Sequence, residues 1–515
     1  MPTGESTCSA RDRLSGMLGQ VAGLRHLPMV LLGGLFLFVV GLSAARTPLW
    51  FDEILTYHVA SLGSPIAIVE ALLAKAENHP PLDYIVRHFS MAAFGGSELA
   101  FRLPSIVAVL IGAVCLYIVV LRRTSALPAL VAFSFPFVTF ALKYFYEGRP
   151  YAILFASMCL ALLAWQLVTD KPTVPRLIFL TLSLSLGPHA HYYGVLNYVP
   201  IAVGEAWRCW ERRQIAWPVI GCFVASFAIV GPLIPFVIHS RDFAPNFWTK
   251  LGTSLVPHVY VKILGTALPA AVVALLACTI AIFFFRREPV GVGKDSTIPR
   301  HEVAAAVTLS LLPVMTYILA YFVTRAFTDK YVINTVVGIS LVVAYLTWQL
   351  RAWRPRCALF IGLSVSLLAT AIFGYLLRNM PARPYSIAAA DLRLIEAARH
   401  PVAFPDAHHY LQTHFYLPPH LRDRIYMITD KVLAMKFVGH DTNELVFDRL
   451  SPYVRMNIFS LCEFTTRYSQ FLVLAARPGW VVPLLLEDHA KVQLLEENPR
   501  RGTILSVTIG EPSGC

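Results

Sequence analysis

Pro28-Met-Val-Leu-Leu-Gly-Gly-Leu-Phe-Leu-Phe-Val-Val-Gly-Leu-Ser-Ala-Ala45 carries no charge, and Arg46-Thr-Pro-Leu-Trp-Phe-Asp-Glu53 follows it directly. The first stretch is long enough to cross a bilayer as a helix. The second places two adjacent carboxylates, Asp52 and Glu53, just beyond its end. Ionised side chains near a membrane are costly unless water, a partner or a function compensates them, and packing explains such a pair poorly. The chain then enters a long polar loop containing Glu77-Asn-His-Pro-Pro-Leu-Asp83 and returns at Phe101-Arg-Leu-Pro-Ser105, which opens the next apolar run. The order of span, acidic pair, His-Pro-Pro loop and span points to a reaction site at the membrane–water boundary.

The rest of the chain fits that setting. Of its 515 residues, 56% are hydrophobic and only 14% charged, against about 25% charged in an ordinary soluble domain. Mean hydropathy is +0.60. The net charge of +12 is not a nucleic-acid signal, because Lys and Arg concentrate in short loops between apolar runs, where they orient a membrane protein. Nine cysteines are scattered without a CxxC or metal spacing; Cys462 and Cys515 share the last segment and are the candidates for pairing in an oxidising compartment. Residues 1–27 are polar and basic and show no cleavable signal, so the first span is expected to remain as an anchor.

Apolar runs predict about eleven spanning helices, near 28–45, 103–121, 126–142, 151–168, 174–188, 192–207, 216–238, 260–285, 303–323, 331–349 and 357–377. The loops between them alternate in character. One set carries Arg11, Arg13 and Arg25, then Arg122-Arg123, Lys171 and Arg176, Arg208, Arg212 and Arg213, Arg286-Arg287, and Arg351, Arg354 and Arg356. The positive-inside rule makes that set cytoplasmic. The other set holds the acids, prolines and histidines and faces outward, away from the cytoplasm. Every unusual polar motif falls on this one side.

The expected organisation is a cytoplasmic tail over 1–27, a transmembrane catalytic domain over 28–379 whose first periplasmic loop is 46–102, and a periplasmic domain over 380–515. In that first loop Ser64-Pro65 reads as a helix N-cap with proline at the first helical position. Ile66, Val69, Leu72 and Leu73 would form the apolar face of a short amphipathic helix. A second such helix spans Leu82 to Ala93 and ends at Gly95-Gly96. After Pro381-Ala-Arg-Pro384 the apolar runs shorten. Val402-Ala-Phe, Ile425-Tyr-Met-Ile, Phe471-Leu-Val-Leu and Thr503–Ile509 read as strands, and Ala407–Tyr416 and Val481–Glu497 as helices. The fold class is thus a polytopic all-α membrane protein with a C-terminal soluble α/β domain.

The chain resembles the GT-C superfamily of integral-membrane glycosyltransferases, in particular bacterial relatives of the protein O-mannosyltransferases and the lipid A aminoarabinose transferases. The resemblance rests on Trp50-Phe-Asp-Glu53, Asn78-His-Pro-Pro-Leu82, Ser97-Glu-Leu-Ala-Phe-Arg-Leu-Pro-Ser105, Tyr146-Glu-Gly-Arg-Pro-Tyr151, His191-Tyr-Tyr-Gly194 and Asp329-Lys-Tyr-Val332, in order and spacing from residue 28 to about 350. It implies an inverting transfer from a sugar carried on polyprenyl phosphate. One departure is Lys330, where many relatives carry arginine: charge is kept and bidentate phosphate geometry lost.

Such chemistry needs a base for the acceptor hydroxyl and positive charge or a metal for the departing phosphate. Asp52 is the first candidate for the base, with Glu53 as orienting partner or alternate. Glu147 is a candidate to hold the acceptor or a divalent cation. Arg149, Lys330, Tyr331, His79 and Tyr151 are candidates for the donor and its phosphate. His189, His191, Tyr192 and Asp83 are candidates to line the cavity, Asp83 with the alternative of serving the first turn of the following helix. Metal ligation would draw on Glu147, His189 and His191; a divalent cation is compatible with these residues without being demanded, and no other cofactor is expected. Glu98 and Arg102, four apart, read as a structural pair. The expected partners are a polyprenyl-phosphate sugar donor, a glycan, lipid or protein acceptor and the bilayer, with no nucleic acid. The alternatives are a polyprenyl-linked glycan transporter or flippase, a non-catalytic scaffold, and a polymer ligase using a lipid-diphosphate donor.

Overall fold

The computed structural model of the chain describes residues 25–240, 251–264, 279, 298–381, 389–475, 480–487, 490–498 and 502–510. Helix α1 (Leu27–Arg46) leads into three short helices, α2 (Phe51–Ala60), α3 (Pro65–Leu73) and α4 (Pro81–Phe94). Helix α5 (Glu98–Leu121) returns through the apolar layer, and α6 (Tyr151–Asp170) and α7 (Val174–Ala190) follow. Among the described residues five helices are long and apolar enough to cross a membrane: α1, α5, α6, Trp217–Ser240 and Pro355–Arg378. A sixth span results if Arg300–Ser310 and Leu312–Thr324, bent by 54°, count as one.

The eleven expected spans therefore do not appear one for one. The run at 126–142 is a nine-residue helix, Ala126–Ser134, and a 3-10 turn over Phe135–Val138 that contains Pro136. The run at 192–207 opens as a 3-10 turn and becomes α-helical only from Tyr198 to Arg212. The bend in the run at 303–323 falls just before Pro313, whose missing N–H and ring break the helical ladder. Most of the run at 260–285, the N-terminal tail before residue 25 and Cys515 lie outside the described residues.

Close packing joins the helices. Phe36 stacks on Phe137, and both rings pack at a tilt against Phe373, joining three elements. A Cβ at Gly112 would lie 2.6 Å from Phe155, so only glycine lets α5 and α6 approach this closely. At one end of the bundle Arg123 pairs with Asp170 and with the buried Glu302. The loops that carry the candidate site residues gather at the opposite end.

Ser64 caps α3 by accepting from the Ala67 amide, and Gly95 ends α4 with a positive φ of 86°. The buried face of α3, however, is Ile68, Ala71 and Leu72, whereas Ile66 is exposed. Of the expected face, Leu72 is buried and Val69 packs against the core, while Ile66 and Leu73 are exposed. Helix α2 was not expected at all. It begins at the acidic pair, with the Glu53 side chain accepting from the Trp50 amide in a capping box.

The C-terminal part builds one six-stranded sheet in the order β3-β2-β1-β4-β6-β5. Strands β1 (Val402–Phe404), β2 (Ile425–Ile428), β3 (Ile458–Phe459) and β4 (Gln470–Ala475) run parallel, while β5 (Lys491–Asn498) and β6 (Gly502–Thr508) are antiparallel. The four expected strands are present. The helix expected over 481–497 stops at Glu487, and Lys491–Asn498 pairs with β6 instead, because the ladder satisfies its backbone groups. The expected helix α8 (Ala407–Tyr416) is present and lies against α2.

Candidate active site

The acidic pair divides into two unlike residues. Glu53 is fully buried and saturated: Arg102 Nε donates to it at 2.7 Å, the Gly148 amide at 2.5 Å and the Trp50 amide at 3.2 Å. Arg102 also donates to the carbonyls of Ala44, Thr47 and Pro48. This corrects two readings of the sequence. Glu53 has no free lone pair or solvent path with which to act as an alternate base, and Arg102 pairs across the fold rather than with Glu98. Gly148 must be glycine, since a Cβ there would meet Phe101 at 2.0 Å.

Asp52, one residue earlier on α2, points elsewhere. Its Oδ2 lies 3.1 Å from Lys330 Nζ, with 28% of the side chain exposed. Burial pushes the Asp52 carboxyl up, but the charges of Lys330 and Arg149 outweigh it and hold the pKa below its ordinary value. Lys330 Nζ sits 4.2 Å from the Trp50 ring centroid, and the Tyr144 and Tyr151 rings lie at 5.9 and 5.8 Å.

Arg149 ties this pair to the His-Pro-Pro loop. It donates to the Asp52 carbonyl at 3.0 Å, to Thr56 and to Glu77 Oε1 at 3.1 Å, and its other terminal nitrogen meets His79 at 3.2 Å. Glu77 also binds His79 at 3.0 Å and accepts from Tyr84. Burial would raise the Glu77 pKa, yet His79 and Arg149 hold it well below the usual value. Glu77 and Tyr84 carry the centre of this network but were given no role from sequence. The only signal for Glu77 was its place two residues before His79.

Glu147 is buried beside these groups, and one of its oxygens, Oε2, has no partner among the described residues. Burial pushes its carboxyl up to about 7. His191 is buried among rings, 5.1 Å from His79, 4.8 Å from Tyr331 and 5.8 Å from Tyr151, and its Nδ1 accepts from the Tyr193 amide. Burial holds it well below the ordinary histidine range. Tyr331 stacks on Tyr193 at 4.7 Å. Tyr192 lines a small cavity with Glu77, Asn78, His79 and Phe236. Behind Lys330, Lys262 and Tyr144 both hold Asp329, an arrangement no sequence pattern announced.

Two expected residues stand apart. Helix α7 continues through Pro188 to Ala190, so His189 turns back onto the Ser185 carbonyl at 2.9 Å and borders an apolar groove lined by Leu82, Phe179, Leu182 and Ile229. It does not join His191. Asp83 is fully paired with Arg87, both oxygens used, and Arg87 also donates to the carbonyls of Phe101 and Arg149. It lies in the first turn of α4, as the alternative reading had it, and through Arg87 it also fixes the loops. No three His, Cys, Asp or Glu side chains converge to hold a metal ion among the described residues, so Glu147, His189 and His191 form no such set.

Residues 78–239 match the family model described as dolichyl-phosphate-mannose-protein mannosyltransferase. The fold is similar to that of ArnT from Cupriavidus metallidurans bound to undecaprenyl phosphate, with TM-score 0.55 and 13% identity over 95% of this chain and 99% of that one. The apo form of the same protein matches with TM-score 0.55 and 11% identity over 93% and 97%. The Archaeoglobus fulgidus oligosaccharyltransferase is a more distant likeness, with TM-score 0.40 and 12% identity over 93% and 74%. No curated protein is a significant match by sequence. In its ArnT-like fold and in the matched segment, the chain is similar to the GT-C superfamily of membrane glycosyltransferases.

Proposed function

We propose that this protein is an inverting glycosyltransferase that moves a sugar from a polyprenyl-phosphate carrier to a hydroxyl of an envelope glycan, lipid or protein. The site faces the periplasm of a bacterial inner membrane. The observation that carries the reading is the pairing of one partly exposed carboxylate, Asp52, with Lys330 beside a second cation, Arg149. That is a base and two positive charges within one outer site at the end of the apolar helices. The solved ArnT binds undecaprenyl phosphate, which supports a lipid-linked donor here.

The acceptor oxygen attacks the sugar's anomeric carbon as its proton passes to Asp52. The bond from that carbon to the phosphate oxygen breaks, and its electron pair leaves with the phosphate. Lys330 and Arg149 stabilise that growing charge. Attack opposite the leaving group inverts the anomeric centre. His79 and the Tyr151, Tyr331 and His191 rings would line the sugar's side of the site. The transporter alternative places ionisable groups near the bilayer midplane, whereas the Asp52 network lies at the helix ends.

The test is transfer from a lipid extract to labelled envelope acceptors, comparing wild type with Asp52→Asn at matched expression. Loss of a positioned base predicts a fall of at least about 10²-fold in a variant that still folds. Equal transfer by both proteins would remove Asp52 from the role, and absence of transfer with any donor would withdraw the enzyme reading.

A further inference from the structure

The cations around the site are not held alike. Arg102 is spent on Glu53 and three carbonyls, and Arg87 on Asp83, Ser105 and two carbonyls. Arg149 is tied to Glu77, Thr56 and the Asp52 carbonyl. Lys330 makes one hydrogen bond among the described residues, to Asp52 Oδ2, and both side chains reach solvent. An ammonium has three donors, so two remain for a ligand. Its seat is the face of Trp50, flanked by Tyr144 and Tyr151. Aromatic faces attract a cation without occupying its donors. Two further buried donors nearby, Trp50 Nε1 and Arg149 Nε, have no acceptor among the described residues.

We propose that Lys330 is a transferable counter-ion: it neutralises Asp52 in the donor-free protein, and the donor's phosphate draws it away, so that Asp52 becomes an effective base only once donor is bound. This rests on the glycosyltransferase reading above. The charge balance of the reaction favours it. The donor phosphodiester carries one negative charge and leaves as a monoester carrying two. Asp52 accepts the acceptor's proton and becomes neutral. Negative charge thus migrates from the carboxylate to the phosphate, and a cation between them that follows it is bound more tightly in the transition state than in the ground state. An empty site with an ion-paired base is also poorly suited to activating water. The charged and titratable groups that face Asp52 are Lys330, Arg149, Glu77 and Glu147, with the hydroxyls of Tyr151 and Tyr331. Of the two cations among them, Lys330 is the one not already anchored elsewhere.

The experiment measures, by peptide mass spectrometry, the pH midpoint for carbodiimide labelling of Asp52 in the detergent-solubilised full chain. It is done with and without saturating undecaprenyl phosphate, whose binding is followed separately with radiolabelled lipid. In the wild type the bound lipid is expected to raise the midpoint by about one pH unit or more, the size of effect an adjacent cation exerts. In lipid-free Lys330→Met the midpoint should already be raised by a similar amount, while Lys330→Arg stays near wild type and checks that the position tolerates substitution. Bound lipid with an unmoved midpoint overturns the inference and leaves the enzyme reading standing. So does an unmoved midpoint in Lys330→Met. Failure of the lipid to bind counts against the glycosyltransferase reading itself, and the inference falls with it.

Discussion

Adjacent residues of one acidic pair have opposite fates, and substitution should separate them. Breaking a buried ion pair on one side leaves the other charge uncompensated, at a cost of about 3–5 kcal/mol. Glu53→Gln strands Arg102 in this way and should lower the thermal unfolding midpoint in detergent, whereas Asp52→Asn, whose side chain is partly exposed, should leave that midpoint nearly unchanged while removing transfer. Glu147 adds a pH signature. Its carboxyl is raised by burial from 4.5 to about 7, so between those values the folded state holds a proton that the unfolded state has released. Stability therefore falls as pH rises through that window and levels off above it. Glu147→Gln should flatten the fall, and unfolding midpoints measured across the window check it. A slope identical to wild type would mean that Glu147 ionises normally.

Among the elements, α8 of the C-terminal sheet region does more than cover α2. Gln412 Nε2 donates to the Leu49 carbonyl and the Leu49 amide donates to Tyr416 Oη, both at 2.9 Å, while Tyr416 donates to Glu98. Phe51 stacks on His408 at 4.2 Å and Tyr57 meets Phe415 at 5.0 Å. Leu49 immediately precedes Trp50, the seat of Lys330, and Asp52. The C-terminal part thus grips the strand of chain that carries the candidate base. Gln412→Ala with Tyr416→Phe removes both side-chain anchors without opening a large cavity. Each lost hydrogen bond is worth about 1 kcal/mol, and the expected result is a lower kcat with little change in donor KM, since the anchors touch no donor group. A change confined to KM would instead assign α8 to substrate binding.

For the molecule as a whole, the loops of the candidate site lie at one end of the helices and the Arg123–Asp170–Glu302 cluster at the other. The proposed orientation makes the first end periplasmic. Cysteine placed at the half-exposed Lys75 should react with a membrane-impermeant maleimide in intact cells, and cysteine at the exposed Arg212 only after permeabilisation. The reverse pattern would invert the topology and with it the supply of a lipid-linked donor. The spans were legible wherever an apolar run was uninterrupted, as for α1, α5 and α6. Their bounds were harder to read where proline interrupts the run, at Pro136 and Pro313, because hydropathy averages over a helix break.

By itself the sequence determined the membrane class, the one-sided clustering of the polar motifs, four strands of the sheet and the identities of Asp52, Arg149 and Lys330 as candidates. These are properties of composition, run length and local spacing, which need no knowledge of which residues meet. Only the tertiary structure decided that Glu53 belongs to Arg102 and Asp52 to Lys330, that Glu77 sits at the centre of the His79–Arg149 network, and that His189 and Asp83 stand outside the site. Pairing across 49 residues for Glu53 and 278 for Asp52 depends on how helices pack. Neighbours in sequence at the start of α2 project from different sides of one helix, so a single residue step of backbone separates a structural carboxylate from the candidate base.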